Sequence, residues 1–176
     1  MRALNRTILV IAAAGIAGTA GVLTAQGSEI AASDQPPSVV EDYSYPGAAA
    51  LLATDHVQLI SGDGHIVYTP CPTGQDTVGV IQVKTTEAVG QSLNGRVCFK
   101  VLGTGGELTM KIPAVYAIRS DGLSAGQGHK LKASLTTDAG VHSSVDVPSD
   151  GITQVGVGAD PNGDPTTLLE LVATAP

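Results

Sequence analysis

Two carboxylates and two imidazoles fall close together at Asp55-His56 and Asp63-Gly64-His65. Zinc accepts such ligands, and a hairpin between VQLI and GHIVY would fold the two pairs together. A metal held there would polarise water, which makes one reading of the chain a metal-dependent hydrolase using Asp55, His56, Asp63 and His65. Zinc usually needs three convergent protein ligands, however, and the competing reading is plain turn chemistry. Asp63-Gly64 has the composition of a type I′ hairpin turn, with His65 on the solvent face opposite Ile66 and Tyr68.

A second constellation is Gly122-Leu123-Ser124-Ala125-Gly126, a GxSxG pattern followed by Asp138 and His142 in the chain order of a hydrolase triad. That chemistry requires a strained strand-to-helix turn to lift the serine above an α/β sheet. Here HKLKASLTT follows, which alternates like a strand, so a flexible glycine loop between strands is expected instead. Asp160, Asn162 and Asp164 place oxygen side chains at alternate positions, as calcium loops do. The sixth position is Pro165 rather than Gly and the twelfth is Leu171 rather than Glu, so this is no EF-hand. A plain Pro and Gly loop is expected, with a weak extracellular calcium site as the alternative. Asp63, His65, Asp160, Asn162 and Asp164 are thus the candidate binding residues, and no cofactor is expected. Gly103, Gly105 and Gly106 precede neither a Lys-Ser or Lys-Thr pair nor a helix, which makes them a turn and not a phosphate loop.

The elements that must position these residues read as strands. From Val57 onward the pattern has period two, with turn residues roughly every eight to twelve positions. Val97, Phe99 and Val101 alternate with Arg96, Cys98 and Lys100; Leu108, Met110 and Ile112 alternate with Glu107, Thr109 and Lys111. Leu131, Ala133 and Leu135 should face inward against Lys130, Lys132 and Ser134, and Leu169 and Leu171 inward against Glu170. Further strands are expected at GHIVYT, VGVIQVKT, PAVYAIRS, VHSSVDV and ITQVGVG. Eight or nine short strands make an all-β fold, an antiparallel β-sandwich or jelly roll. One helix is expected at YSYPGAAALLATDH, with Pro46 in its first turn.

The first 25 residues differ in kind. Arg2 and Arg6 form a positive n-region, TILVIAAAGIAGTAGVL is an uninterrupted apolar and small run, and Thr24-Ala25 ends it on a small residue. This is the pattern of a secretory signal peptide, cleaved after Ala25, with Ala20 and Ala32 as alternative sites. An uncleaved membrane anchor is the rival reading, although the Ala and Gly content makes the run weakly hydrophobic. Residues 26–42 have the small, acidic, Pro36-Pro37-centred composition of a disordered linker. Residues 43–176 then form a single β-sandwich domain.

Without Arg2 and Arg6 the exported chain has seven basic residues against sixteen acidic ones, a formal charge of −9. A nucleic-acid partner needs a basic face, and an anionic membrane surface attracts cations, so both are disfavoured for the mature form. With 3% aromatic residues and no Trp, stacking platforms for sugars are scarce. Cys71 and Cys98 are the two cysteines, and outside the cell such a pair most often forms a disulfide. No CxxC and no neighbouring Cys-His pair support the alternative of metal or thiol chemistry.

The stretches YPGAAALLATDHVQLISGDGHIVY, RVCFKVLGTGGELTMKIPAVYAI and VDVPSDGITQVGVGADPNGDPTTLLEL, with Cys71 between the first two, resemble a group of small secreted actinobacterial proteins. The resemblance covers most of residues 43–172. It implies export and a compact β-rich domain, and it carries over no catalytic residue. The expectation is therefore a secreted, acidic, non-enzymatic β-domain that binds an extracellular protein or a cell-wall component. Its loops SGDGHI, RSDGLSAGQGHK and GADPNGDPTT are the first places to look. The alternatives are a protease inhibitor-like protein and the metal-dependent hydrolase described above.

Overall fold

A computed structural model describes residues 42–73 and 78–176 of the 176. The expected signal peptide, and the expected linker up to residue 41, lie outside the described residues. Among the described residues one short helix, α1 (Ala48–Asp55), precedes nine strands: β1 (Gln58–Gly62), β2 (Ile66–Thr69), β3 (Ile81–Thr85), β4 (Arg96–Val101), β5 (Gly106–Arg119), β6 (Lys130–Thr137), β7 (His142–Val147), β8 (Ile152–Gln154) and β9 (Thr166–Thr174). The fold is all-β, and every strand pair is antiparallel.

Hydrogen bonds connect the strands in the order β2-β4-β3-β5-β9-β6-β7, with β1 and β8 also joined to β5. The long strand β5 makes this possible. Its first half pairs with β1 and β9, and its second half with β3 and β8. The alternating run from Glu107 to Ile112 and PAVYAIRS, expected as separate strands, are thus one strand bent in the middle. The bend lies at Pro113-Ala114, where Ala114 takes φ 49°. A residue in the left-handed region breaks the pleat, and the register against β9 shifts on both sides of Ile112. The displaced backbone groups are recaptured: Thr85 Oγ1 donates to the Pro113 carbonyl and the Thr86 N–H to the Ala114 carbonyl at 3.2 Å.

The strands β2, β4 and β3 form one set on one side of β5, and β5 with β9, β6 and β7 a second; both sets put their inner side chains into one hydrophobic cluster. Phe99, Ile81 and Ile66 enter from one set, Leu108, Met110, Leu135, Leu168 and Leu171 from the other. The alternation expected for β4, β5 and β6 is borne out at Val97, Phe99, Val101, Leu108, Met110, Ile112, Leu131, Ala133 and Leu135, all buried. In β9 it is not. Leu168 and Leu171 are buried while Leu169 is only half-buried. Ser134 and Leu135 of β6 face Glu170 and Leu168, so Leu169 is an extra residue in a bulge and the inward phase slips by one.

Helix α1 contributes no buried residue of its own. Pro46 and Gly47 make the turn before it, with Gly47 at φ 72°, so Pro46 lies outside the first helical turn where it was expected. Two turns of helix are marginal alone. Leu51 and the adjoining Tyr45 hold it by packing on the core, and the Gly90 N–H donates to the Asp55 carbonyl at 2.8 Å.

Candidate functional site

Strand β1 separates the two Asp-His pairs. Asp55 and His56 sit before its first residue and Asp63 and His65 beyond its last, a Cα span of roughly 13 Å at about 3.3 Å per residue. Asp55 accepts a hydrogen bond from the Tyr68 hydroxyl at 2.7 Å, and His56 Nδ1 lies 3.3 Å from the Ala88 carbonyl. Burial, followed by the Asp55 hydrogen bond and charge, raises the Tyr68 phenol pKa above its usual value. The hydrolase geometry, in which all four groups converge, is not formed.

The expected hairpin is absent as well, since β1 pairs with β5 and β2 with β4. Asp63 shows why. One carboxylate oxygen accepts the His65 N–H at 2.9 Å, and the other accepts the Glu107 N–H of β5 at 3.0 Å. The side chain anchors the turn to β5 instead of closing β1 onto β2. Burial works against the charge on Asp63, but the His65 and Glu107 hydrogen bonds and the nearby His65 ring outweigh it, and the pKa is lowered. His65 itself is exposed, with Nδ1 3.4 Å from Asp63.

Leu123 to Gly126 of the GxSxG pattern are exposed in the loop between β5 and β6, with Gly122 buried at its base, while Asp138 lies in the turn between β6 and β7 and His142 opens β7. The length of β6, roughly 23 Å from first to last Cα, stands between Ser124 and the other two. No triad assembles from them. The loop holds a pair that the sequence reading missed: Asp121 and His129, both largely buried, with Oδ2 and Nδ1 2.7 Å apart. Asp121 Oδ1 also accepts the His129 N–H at 2.7 Å, and the other ring nitrogen lies 3.2 Å from the Gly103 carbonyl. Ser120 Oγ donates to the His129 backbone carbonyl and lies 3.3 Å from Asp121 Oδ1, so the arrangement ties the base of the loop together. The available signal was weak: two glycines, Gly122 and Gly128, close enough that a Cβ on Gly128 would lie 2.3 Å from the Gly122 nitrogen.

Asp160, Asn162 and Asp164 are exposed, and Asp160 Oδ1 accepts the Asn162 N–H at 2.9 Å, a local turn bond. Among the described residues no three His, Cys, Asp or Glu side chains group as metal ligands. Cys71 and Cys98 form the expected disulfide. Cys98 pairs across the sheet with the buried Gln82, and Gln82, with its amide oxygen turned to Arg96, accepts from that guanidinium at 2.7 and 3.1 Å. Arg96 also donates to the Pro72 carbonyl at 3.3 Å, so the cystine segment is bound to the sheet by polar contacts too.

A concave site that the sequence did not single out lies on the outer side of β6, β7 and β9. It is a groove of about 460 Å³ bounded by Lys130, Lys132, Asp146, Pro148, Val172 and Thr174. Strand alternation produces it: the residues between the buried Leu131, Ala133, Leu171 and Ala173 must point outward. Lys132 Nζ lies 3.4 Å from Asp146 at its rim, an exposed pair of small energetic worth. Among the described residues no helix is long and apolar enough to cross a membrane. No protein-family model matches the chain, and no curated protein matches it in sequence.

Proposed function

We propose that this protein is an exported binding domain that acts by surface contact with an extracellular protein or a component of the cell envelope. The observation that carries this reading is the groove over β6, β7 and β9, whose Val172 and Pro148 are flanked by Lys130 and Lys132. A few charged groups around an apolar floor, here Lys130 and the Lys132–Asp146 pair, suit recognition of a partner with an apolar patch and a polar rim. The disulfide and the likeness to small secreted actinobacterial proteins support export. The separation of the Asp-His pairs and of Ser124 from Asp138 and His142 removes the motifs on which a hydrolase reading rested.

A protease inhibitor-like role is the second reading, favoured by the loop Ser120–His129. Its base is braced by the Asp121–His129 pair, and Leu123 at its tip is 53% exposed. One experiment covers both readings. The tagged secreted chain is incubated with the producing organism's culture medium and washed cell walls, alongside the Val172→Asp and Leu123→Ala variants. Retention lost in Val172→Asp alone is the expected result. Retention of a protease lost only in Leu123→Ala assigns the loop, and retention by all three equally refutes the groove.

A further inference from the structure

The margins of this sheet are not treated alike. An open strand edge offers unpaired N–H and C=O groups to any other strand, and folded proteins usually cover it. Tyr43–Tyr45 covers the margin of β1, through the Gly62 N–H to Tyr43 carbonyl bond at 3.0 Å and the Tyr45 N–H to Ile60 carbonyl bond at 2.9 Å. The Tyr45 hydroxyl takes the Tyr68 N–H of β2 at 2.7 Å. Strand β7 has no such cover: among the described residues only β6 pairs with it, and His142, Ser143 and Ser144 are exposed.

The phase of that edge is set by contacts at both ends. Val141 faces β6, because its carbonyl accepts the Thr137 N–H at 3.0 Å. Asp146 faces away, because its carbonyl accepts from Thr153 Oγ1 at 3.1 Å. Alternation between them aims the backbone N–H and C=O of His142 and Ser144 outward. Thr153 thereby caps the edge at Asp146 and leaves the His142–Ser144 stretch open.

We infer that β7 pairs with β7 of a second copy of this chain, antiparallel and centred on Ser143. In this register His142 of one copy and Ser144 of the other form the hydrogen-bonded pairs, using the outward groups that lack partners among the described residues. Val141, 62% exposed, then faces Val145 of the second copy on the inner side. On the outer side His142 has the second copy's Asp146 as its diagonal neighbour, within reach of an imidazole. Asp146, where Thr153 blocks further pairing, meets Gly140, where the other strand turns away. The block and the turn coincide only in this register. A larger shift toward the C-terminal end would drive the second strand into Thr153. The strand is short and the chain acidic, so the dimer is weak and strengthens with added salt.

Sedimentation of the oxidised secreted chain from micromolar to millimolar concentration tests the pairing, with and without added salt. The expected result is a rise of the weight-average mass from one toward two copies. Ser144→Pro removes an outward N–H that no bond among the described residues uses, and Ser143→Lys places like charges opposite each other at the two-fold axis. Each should hold the chain at one copy while its thermal melt stays close to that of the wild type. Ser143→Lys serves where Ser144→Pro fails to fold. A wild-type chain that remains a monomer throughout overturns the proposal. So does a dimer that survives Ser143→Lys, and so does protection of the His142 and Ser144 amides by a retained partner protein while the chain itself stays monomeric.

Discussion

Reducing the Cys71–Cys98 bond should cost this domain a large part of its stability. The bonded residues are separated by 27 positions, and loop-closure entropy for such a span is about 3.5 kcal/mol at 25 °C. For roughly 135 ordered residues, at about 2.1 cal/mol/K of unfolding entropy each, that corresponds to a fall in Tm of about 12 °C. Equilibrium urea unfolding of the oxidised and reduced chain measures the difference directly, and a Cys71→Ala/Cys98→Ala variant repeats it without reductant. The variant should lose somewhat more, because Cys98 is fully buried and its sulfur leaves a void. The entropic origin has its own signature, since an uncrosslinked chain exposes more surface when unfolded and the urea dependence should steepen. A reduced chain within about 1 kcal/mol of the oxidised one would refute the reasoning. It would mean that strain in the folded cystine, or residual structure that already brings the two segments together in the reduced unfolded chain, offsets the loop-closure term.

The bulge in β9 predicts unequal neighbours. Leu168→Ala should cost about 2–5 kcal/mol and Leu169→Ala under about 1, and equal losses in urea unfolding would contradict the register. Asp63 predicts an acid dependence. Its folded pKa is lowered, so the stability it adds is present above the ordinary carboxylate value near 3.8 and is lost as pH falls through the depressed folded value. The stability gap between wild type and Asp63→Asn should therefore narrow as pH is lowered from 5 toward 2, roughly, in a pH series of thermal melts; a constant gap would show that the carboxylate charge does not matter.

Much of the β architecture was legible because each half-buried strand must alternate. Leu131, Ala133 and Leu135 declare their face against three polar neighbours, and the structure buries all three. The end of the chain was ambiguous for a physical reason. Leu168, Leu169 and Leu171 supply apolar residues to either phase, and only the pairing of β9 with both β5 and β6 selects Leu168. The SGDGH turn was read correctly as a turn and wrongly as a hairpin. Its local chemistry is the same in both cases, and the partner of the Asp63 carboxylate, the Glu107 N–H, is 44 positions away. The groove at Val172 was invisible because its walls come from three strands. The Asp121–His129 pair was missed because an acid and an imidazole eight residues apart across glycines meet only when the loop closes.

By itself the sequence determined the class of fold and the cystine, since alternation and cysteine number are local or additive properties. The tertiary structure alone decided which strands are neighbours, where β5 bends, which leucine turns inward and which candidate residues are kept apart. These depend on backbone partners distant in the chain, and a hydrogen bond between such groups leaves no periodic mark on the residues that form it.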